Sequence, residues 1–127
     1  MNFDDYKEFT HETAIYPMSV EDVEEISQKT YLEDFANWLA LSYVIGKLNG
    51  EAGELAELQF KALRDEACQI SPERKEAMRK ELGDVLYYVA RIAVHLDVSL
   101  DAIAVENMEK LRDRKDRGVL QGSGDNR

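Results

Sequence analysis

Apolar residues along this chain return at helical intervals and nowhere alternate in the two-residue rhythm of a strand. Phe3, Tyr6 and Phe9 recur every three residues and predict a first helix over residues 3–13. It ends before Tyr16-Pro17, because a residue preceding proline is pushed out of helical geometry. Ser19, followed three residues later by Asp22, is an acidic variant of a capping box. It opens a short second helix with Val20, Val23 and Ile26 on the apolar face. From about Tyr31 to Glu66 the positions Phe35, Trp38, Leu41, Ile45, Leu48, Leu55, Leu58 and Ala62 keep close to a 3.6-residue period. Asn49-Gly50 and Gly53 are its weak points and predict a kink or break near Gly50. A loop over 68–70 leads to Ser71-Pro72, an N-cap followed by proline at the first helical position. The helix that follows reaches about Leu96 and is expected to bury Met78, Leu82, Val85, Leu86, Val89, Ile92 and Ala93. Ser99 caps a last helix bearing Leu100, Ile103, Ala104, Met108 and Leu111. The pattern predicts an all-α fold, an antiparallel bundle of four to five helices forming one domain over residues 1–117. Residues 118–127, GVLQGSGDNR, read as a glycine-rich tail, either frayed or folded onto a ligand.

Composition narrows the class. An apolar share of 44% in 127 residues builds one modest core, so further burial between subunits is expected. The net charge of −10, from 26 acidic and 16 basic residues, excludes a nucleic-acid polymer as partner, since no basic stripe offsets it. A small phosphorylated ligand is admissible once metal ions neutralise the carboxylates around it. The single cysteine, Cys68, excludes an intrachain disulfide and a multi-cysteine zinc site, and it agrees with a reducing cytoplasm. The acidic start MNFDDYKEF is unlike a signal peptide. The longest apolar stretch, 39–45, is interrupted by Ser42 and is too short to cross a bilayer, so no membrane partner is expected.

The candidate chemistry lies in carboxylates spaced three apart on the two long helices, Glu51 and Glu54 on one, Glu81 and Asp84 on the other. Residues three apart share one side of a helix. Glu81, Asp84, Tyr88, Arg91 and His95 form a polar stripe beside the apolar face, as do Glu51, Glu54, Lys61 and Asp65. If the apolar faces pack antiparallel, the stripes meet at the edge of the core. Four carboxylates brought together require a positive partner, and oxygen-only ligands select Mg²⁺ or Mn²⁺. A di-iron site needs Glu-x-x-His on two helices, and the one such run, Glu8 to His11, lies outside the paired segments. The same acidic spacing is common on solvated helix faces, as at Glu54/Glu57 and Glu21/Glu24. What separates the four is placement, next to Leu55 and to Val85-Leu86 and flanked by Gly50, Gly53 and Gly83. Lys61 and Arg64 lie beyond the first pair on the same helix, within reach of outer phosphates or simply solvated. Tyr88 and Trp38 are candidates to stack on a base, although helix-spaced aromatics are more often core. His95 reads as a satisfied face residue.

GEAGELAEL at 50–58, followed by ELGDVLYYVARIA at 81–93, resembles the MazG-like branch of the all-α nucleotide pyrophosphohydrolases. That family is marked by Glu-x-x-Glu, a spacer and Glu-x-x-Asp, and here the spacer between Glu54 and Glu81 is 26 residues. The likeness continues through SLDAIAVENMEKLRDRKDRG to the QGSGDNR ending, and TAIYP at 13–17 also fits the small bacterial and phage versions. The resemblance implies a dimeric or tetrameric helical enzyme that hydrolyses a nucleoside triphosphate to the monophosphate and pyrophosphate. It implies that Glu51, Glu54, Glu81 and Asp84 hold Mg²⁺, with Mn²⁺ as a substitute. It also implies that Asn107 and Lys110 contact substrate, although an ion pair with Glu106 also accounts for Lys110. Some relatives carry a glutamate just before the first motif glutamate, where this chain has Gly50. The water-activating carboxylate is therefore Glu51 in the first instance and Glu57 in the second. Expected alternatives are a dUTP or phosphoribosyl-ATP hydrolase of the same fold, and a catalytically silent helical regulatory dimer. The expected location is the cytoplasm of a bacterium or of a phage-infected host.

Overall fold

A computed structural model describes residues 2–16 and 19–122 of the chain. Five helices follow one another, α1 (Phe3–Thr13), α2 (Val20–Lys29), α3 (Leu32–Asp65), α4 (Pro72–His95) and α5 (Leu100–Asp116). No strand occurs among the described residues, in agreement with the all-α expectation. Pro17, on which the expected end of the first helical segment turns, and residues 123–127 of the tail lie outside the described residues. The chain divides into two compact units, residues 1–36 and 37–127.

Helix starts follow side chains that satisfy otherwise orphaned amides. In the first unit Asn2 Oδ1 accepts from the amides of Asp4 and Asp5, both at 2.9 Å, while the Asp5 carboxylate accepts from the Asn2 amide. Ser19 and Asp22 make the same reciprocal pair at 3.0 and 2.9 Å. In the second unit Ser71 Oγ accepts from the Arg74 amide at 3.2 Å, with Pro72 supplying a fixed φ where no amide is needed. Ser99 Oγ caps α5 through the Ala102 amide.

The expected break near Gly50 is absent. α3 runs unbroken for 34 residues through Asn49, Gly50 and Gly53. An interior glycine costs only about 1 kcal/mol relative to alanine, too little to interrupt a helix held to α4 at Asn37 and Leu58. Nor does this chain crowd these positions, since a Cβ added at Gly50, Gly53 or Gly83 would meet no atom within 4 Å.

Three cross-helix contacts define how α3 lies against α4. Asn37 Nδ2 donates to the His95 carbonyl at 3.1 Å. Carboxylate oxygens of Glu51 and Glu81 come within 4.8 Å. Arg74 Nη1 donates to the Leu58 carbonyl at 3.1 Å. Fourteen residues separate Asn37 from Glu51, and fourteen separate Glu81 from His95; seven separate Glu51 from Leu58, and seven Arg74 from Glu81. Equal steps in opposite directions mean one constant antiparallel register. Steps of seven nearly complete two turns, drifting only about 20° each, so all three contacts lie along one edge of the seam.

The seam buries less than the periodicity suggests. Val44, Ala62 and Ala93 are the buried apolar residues among those described. Phe35, Leu41, Leu48, Met78, Val85 and Ile92 are half-buried, whereas Leu82 (56% exposed), Leu86 (63%) and Val89 stay open, contrary to expectation. Helices α3 and α4 meet along one stripe, and the apolar faces of both are wider than that stripe, so these residues stay open among those described.

The turn from α3 to α4 is strained. Ala67 and Cys68 take φ values of 49° and 65°, the left-handed region that costs a residue with a Cβ roughly 1–2 kcal/mol. The Cys68 amide donates to the Ala62 carbonyl at 3.2 Å, which closes the last turn of α3. Ala67→Gly is expected to stabilise the protein by about 0.5–1 kcal/mol, because glycine adopts this conformation freely. A urea midpoint that rises at constant slope agrees; an unchanged or lower midpoint contradicts it.

Candidate metal centre

The constant register carries residues 37, 44, 51 and 58 of α3 along the same edge as residues 74, 81, 88 and 95 of α4. Glu51 therefore faces Glu81, and Asp84 lies one turn farther along α4. One carboxylate oxygen from each of Glu51, Glu81 and Asp84 falls within 4.8 Å of the others. The Glu51 side chain is only 12% exposed and its Oε1 pairs with Lys47 Nζ at 2.9 Å. Lys47 also sits over the Tyr88 ring, 5.7 Å from its centroid, and Tyr88 meets Tyr87 edge-on at 5.1 Å.

The electrostatics report crowding. Partial burial pushes the Glu81 carboxyl above its ordinary pKa, and the neighbouring charges of Glu54, Asp84 and Glu51 push it further. Glu54 is thus felt at the cluster although it stands outside the tight trio. Hydrogen bonding to Glu51, then its charge, raises the Lys47 ammonium. One ammonium offsets one of several carboxylates, so the group retains a negative excess. Hard, oxygen-only donors with that excess fit a divalent cation of the Mg²⁺ or Mn²⁺ kind.

The other residues singled out from sequence are more dispersed. Glu57 is exposed and pairs with Lys61 at 3.0 Å. Arg64 grips the adjacent Asp65 at 2.6 and 2.7 Å. Asn107 and Lys110 are exposed on α5. Trp38 is 58% exposed. The His95 ring meets Asn37, with Nδ1 2.8 Å from Asn37 Oδ1. Sequence reasoning passed over Lys47, Asn37 and Arg74. Lys47 was within its reach, because a lysine four residues before Glu51 is a standard helical ion pair. Asn37 and Arg74 act across the seam, and no local spacing announces them.

Comparison with known proteins bears on the same segment. Residues 41–119 match the MazG nucleotide pyrophosphohydrolase domain. The Gene 37 protein of Mycobacterium phage L5 is 44% identical over 127 residues, the whole length of both chains. The proteins named dCTP pyrophosphatase 1 of Rattus norvegicus and Mus musculus are each 36% identical over 78 residues, 60% of this chain and 46% of theirs. This chain therefore matches just under half the length of those two relatives. No solved structure gives a significant match. The matched domain is that of divalent-metal-dependent nucleotide pyrophosphohydrolases, and it contains every carboxylate of the cluster. With well over half of its length inside that domain, and its paired acidic motifs facing each other across the α3–α4 seam, the chain belongs to the MazG nucleotide pyrophosphohydrolase family.

Proposed function

We propose that this protein is a Mg²⁺-dependent nucleoside triphosphate pyrophosphohydrolase that converts a (d)NTP to the (d)NMP and pyrophosphate. The observation that carries the reading is the convergence of Glu51, Glu81 and Asp84 from two helices inside the matched domain. A silent helical scaffold gives no reason to hold like charges together. The name of the two mammalian relatives supports a deoxynucleoside triphosphate, dCTP among them, over phosphoribosyl-ATP.

Glu51, Glu81 and Asp84, with Glu54 beside them, would hold the ions. When bound, these would neutralise phosphate oxygens and lower the pKa of a water molecule. Glu51 is better placed than Glu57 to orient that water and accept its proton, because Glu51 is shielded and lies in the carboxylate trio, whereas Glu57 is 64% exposed and pairs with Lys61 outside it. Lys47 and Lys61 would supply positive charge toward the phosphates, and Tyr88 a ring beside them. Arg64, Asn107 and Lys110 remain substrate-contacting candidates that depend on how α5 and a second subunit close the site. The full-length phage relative supports the cytoplasm of a bacterium or infected host as the setting. No helix among the described residues is long and apolar enough to cross a membrane.

Pyrophosphate release measured across the eight common nucleotides, with and without Mg²⁺, tests the activity. Monophosphate and pyrophosphate are expected as first products in Mg²⁺ alone. Glu54→Gln and Asp84→Asn are each expected to abolish turnover with the helical circular-dichroism signal intact. Orthophosphate plus a diphosphate, or wild-type rates in either variant, would refute the reading.

The reading includes a homo-oligomer, a dimer or tetramer. Its support is the exposed apolar surface at Leu82, Leu86 and Tyr87, and a groove of about 1040 Å³ lined by Ala52, Leu55, Ala56, Met78 and Leu82. Light scattering at micromolar concentration is expected to give at least twice the chain mass of 14.5 kDa; a stable monomer contradicts it.

A further inference from the structure

The carboxylate cluster lies between two polar contacts that also cross the α3–α4 seam. Fourteen residues to one side, Asn37 Nδ2 donates to the His95 carbonyl and Asn37 Oδ1 lies 2.8 Å from His95 Nδ1. That carbonyl belongs to the last turn of α4, where no amide farther along the helix can reach it. Seven residues to the other side, Arg74 gathers the end of α3. Its Nε donates to Glu66 Oε1 at 2.8 Å, Nη2 donates to the same oxygen, and Nη1 donates to the Leu58 carbonyl at 3.1 Å. Only 16% of the Arg74 side chain is exposed, against 71% for Arg79 on the same helix, whose partner Glu76 is local.

These contacts share the register of the cluster. With the cluster between them they mark three levels of one edge, and each of the two joins a side chain on one helix to a backbone carbonyl on the other. A carbonyl belongs to one level of the helix, so a donor fixed to it permits no axial sliding. Sliding matters because one turn is about 5.4 Å. A shift of that size would set Glu81 against Lys47 or Leu55 instead of Glu51, and the trio would no longer converge. Repulsion among the carboxylates favours such a shift.

We infer that Arg74 and Asn37 are positioning residues, two locks that bracket the acidic cluster and hold α3 and α4 in the register that brings Glu51 to Glu81 and Asp84. Neither side chain touches the reacting groups. Both act by denying the helices the slide that would relieve the carboxylates. The inference rests on the reading of that cluster as the metal centre. Arg74 must be arginine, since its planar fork reaches the Glu66 carboxylate and the Leu58 carbonyl at once, while a lysine ammonium retains the ion pair but not both contacts.

The test is a Mn²⁺ titration of the full chain followed by electron paramagnetic resonance, with amide hydrogen exchange of the metal-free protein alongside. Arg74→Lys and Asn37→Leu are the variants, and Arg79→Lys is the control. Each lock variant is expected to keep its helical signal, weaken Mn²⁺ binding roughly tenfold, the low end of what a lost supporting contact costs a metal site, and exchange several-fold faster at residues 81–84. Arg79→Lys is expected to match the wild type in both. A role confined to stability would lower the melting temperature of Arg74→Lys and leave its Mn²⁺ dissociation constant and its exchange at residues 81–84 unchanged, and that result overturns the inference. If Arg74→Lys fails to fold, Asn37→Leu decides by the same two readouts. A wild type that binds no Mn²⁺ refutes the metal reading instead, and the exchange rates then decide on the locks alone.

Discussion

Like charges do not gather on a folded chain unless other contacts hold them together, and here those contacts run along the seam between α3 and α4. One antiparallel register serves its whole length, with Asn37 against His95, Glu51 against Glu81 and Leu58 against Arg74. The seven-residue step keeps these pairs on one edge, where Val44 is buried as well, while Ala62 and Ala93 fill the interior beside it. Small motions of either helix become changes in carboxylate spacing.

The cluster carries an electrostatic cost in the chain by itself. Burial and three neighbouring carboxylates raise the Glu81 carboxyl, and Lys47 is the cation within hydrogen-bond reach of Glu51. Such an arrangement is stable because its energy is recovered elsewhere, and it is useful because a divalent cation binds best where charge has been gathered in advance. The surrounding apolar surface has the same character. Leu82, Leu86 and Trp38 are each more than half exposed in one chain.

Much of this was legible in the sequence, and the parts that were not share a cause. Ser19 with Asp22, Ser71 with Pro72, and Ser99 marked helix starts correctly because capping depends on residues within one turn. The i, i+3 spacing beside the apolar stripe pointed to Glu51, Glu54, Glu81 and Asp84, of which Glu51, Glu81 and Asp84 draw together and Glu54 stands outside the trio. The break expected at Gly50 did not occur, because a local cost near 1 kcal/mol yields to the contacts of a 34-residue helix. Leu82, Leu86 and Val89 were expected inside, because periodicity shows that a face is apolar and not which surface covers it. Asn37 and Arg74 were invisible for a related reason. Their partners are backbone carbonyls on another helix, which no residue type encodes.

The central claim is that folding forces these carboxylates together and that a divalent cation relieves the strain, which melting curves test without any substrate. Wild type and Glu81→Gln are compared in EDTA and in millimolar Mn²⁺ or Mg²⁺. The account predicts that Glu81→Gln melts higher than wild type in EDTA, since one repelling charge is gone. It also predicts that the metal raises the wild-type midpoint by mass action, by roughly 2.7 kcal/mol of stability at a hundred times the dissociation constant, and raises the variant far less. A wild-type midpoint indifferent to both metals, together with an unchanged variant in EDTA, would contradict the account.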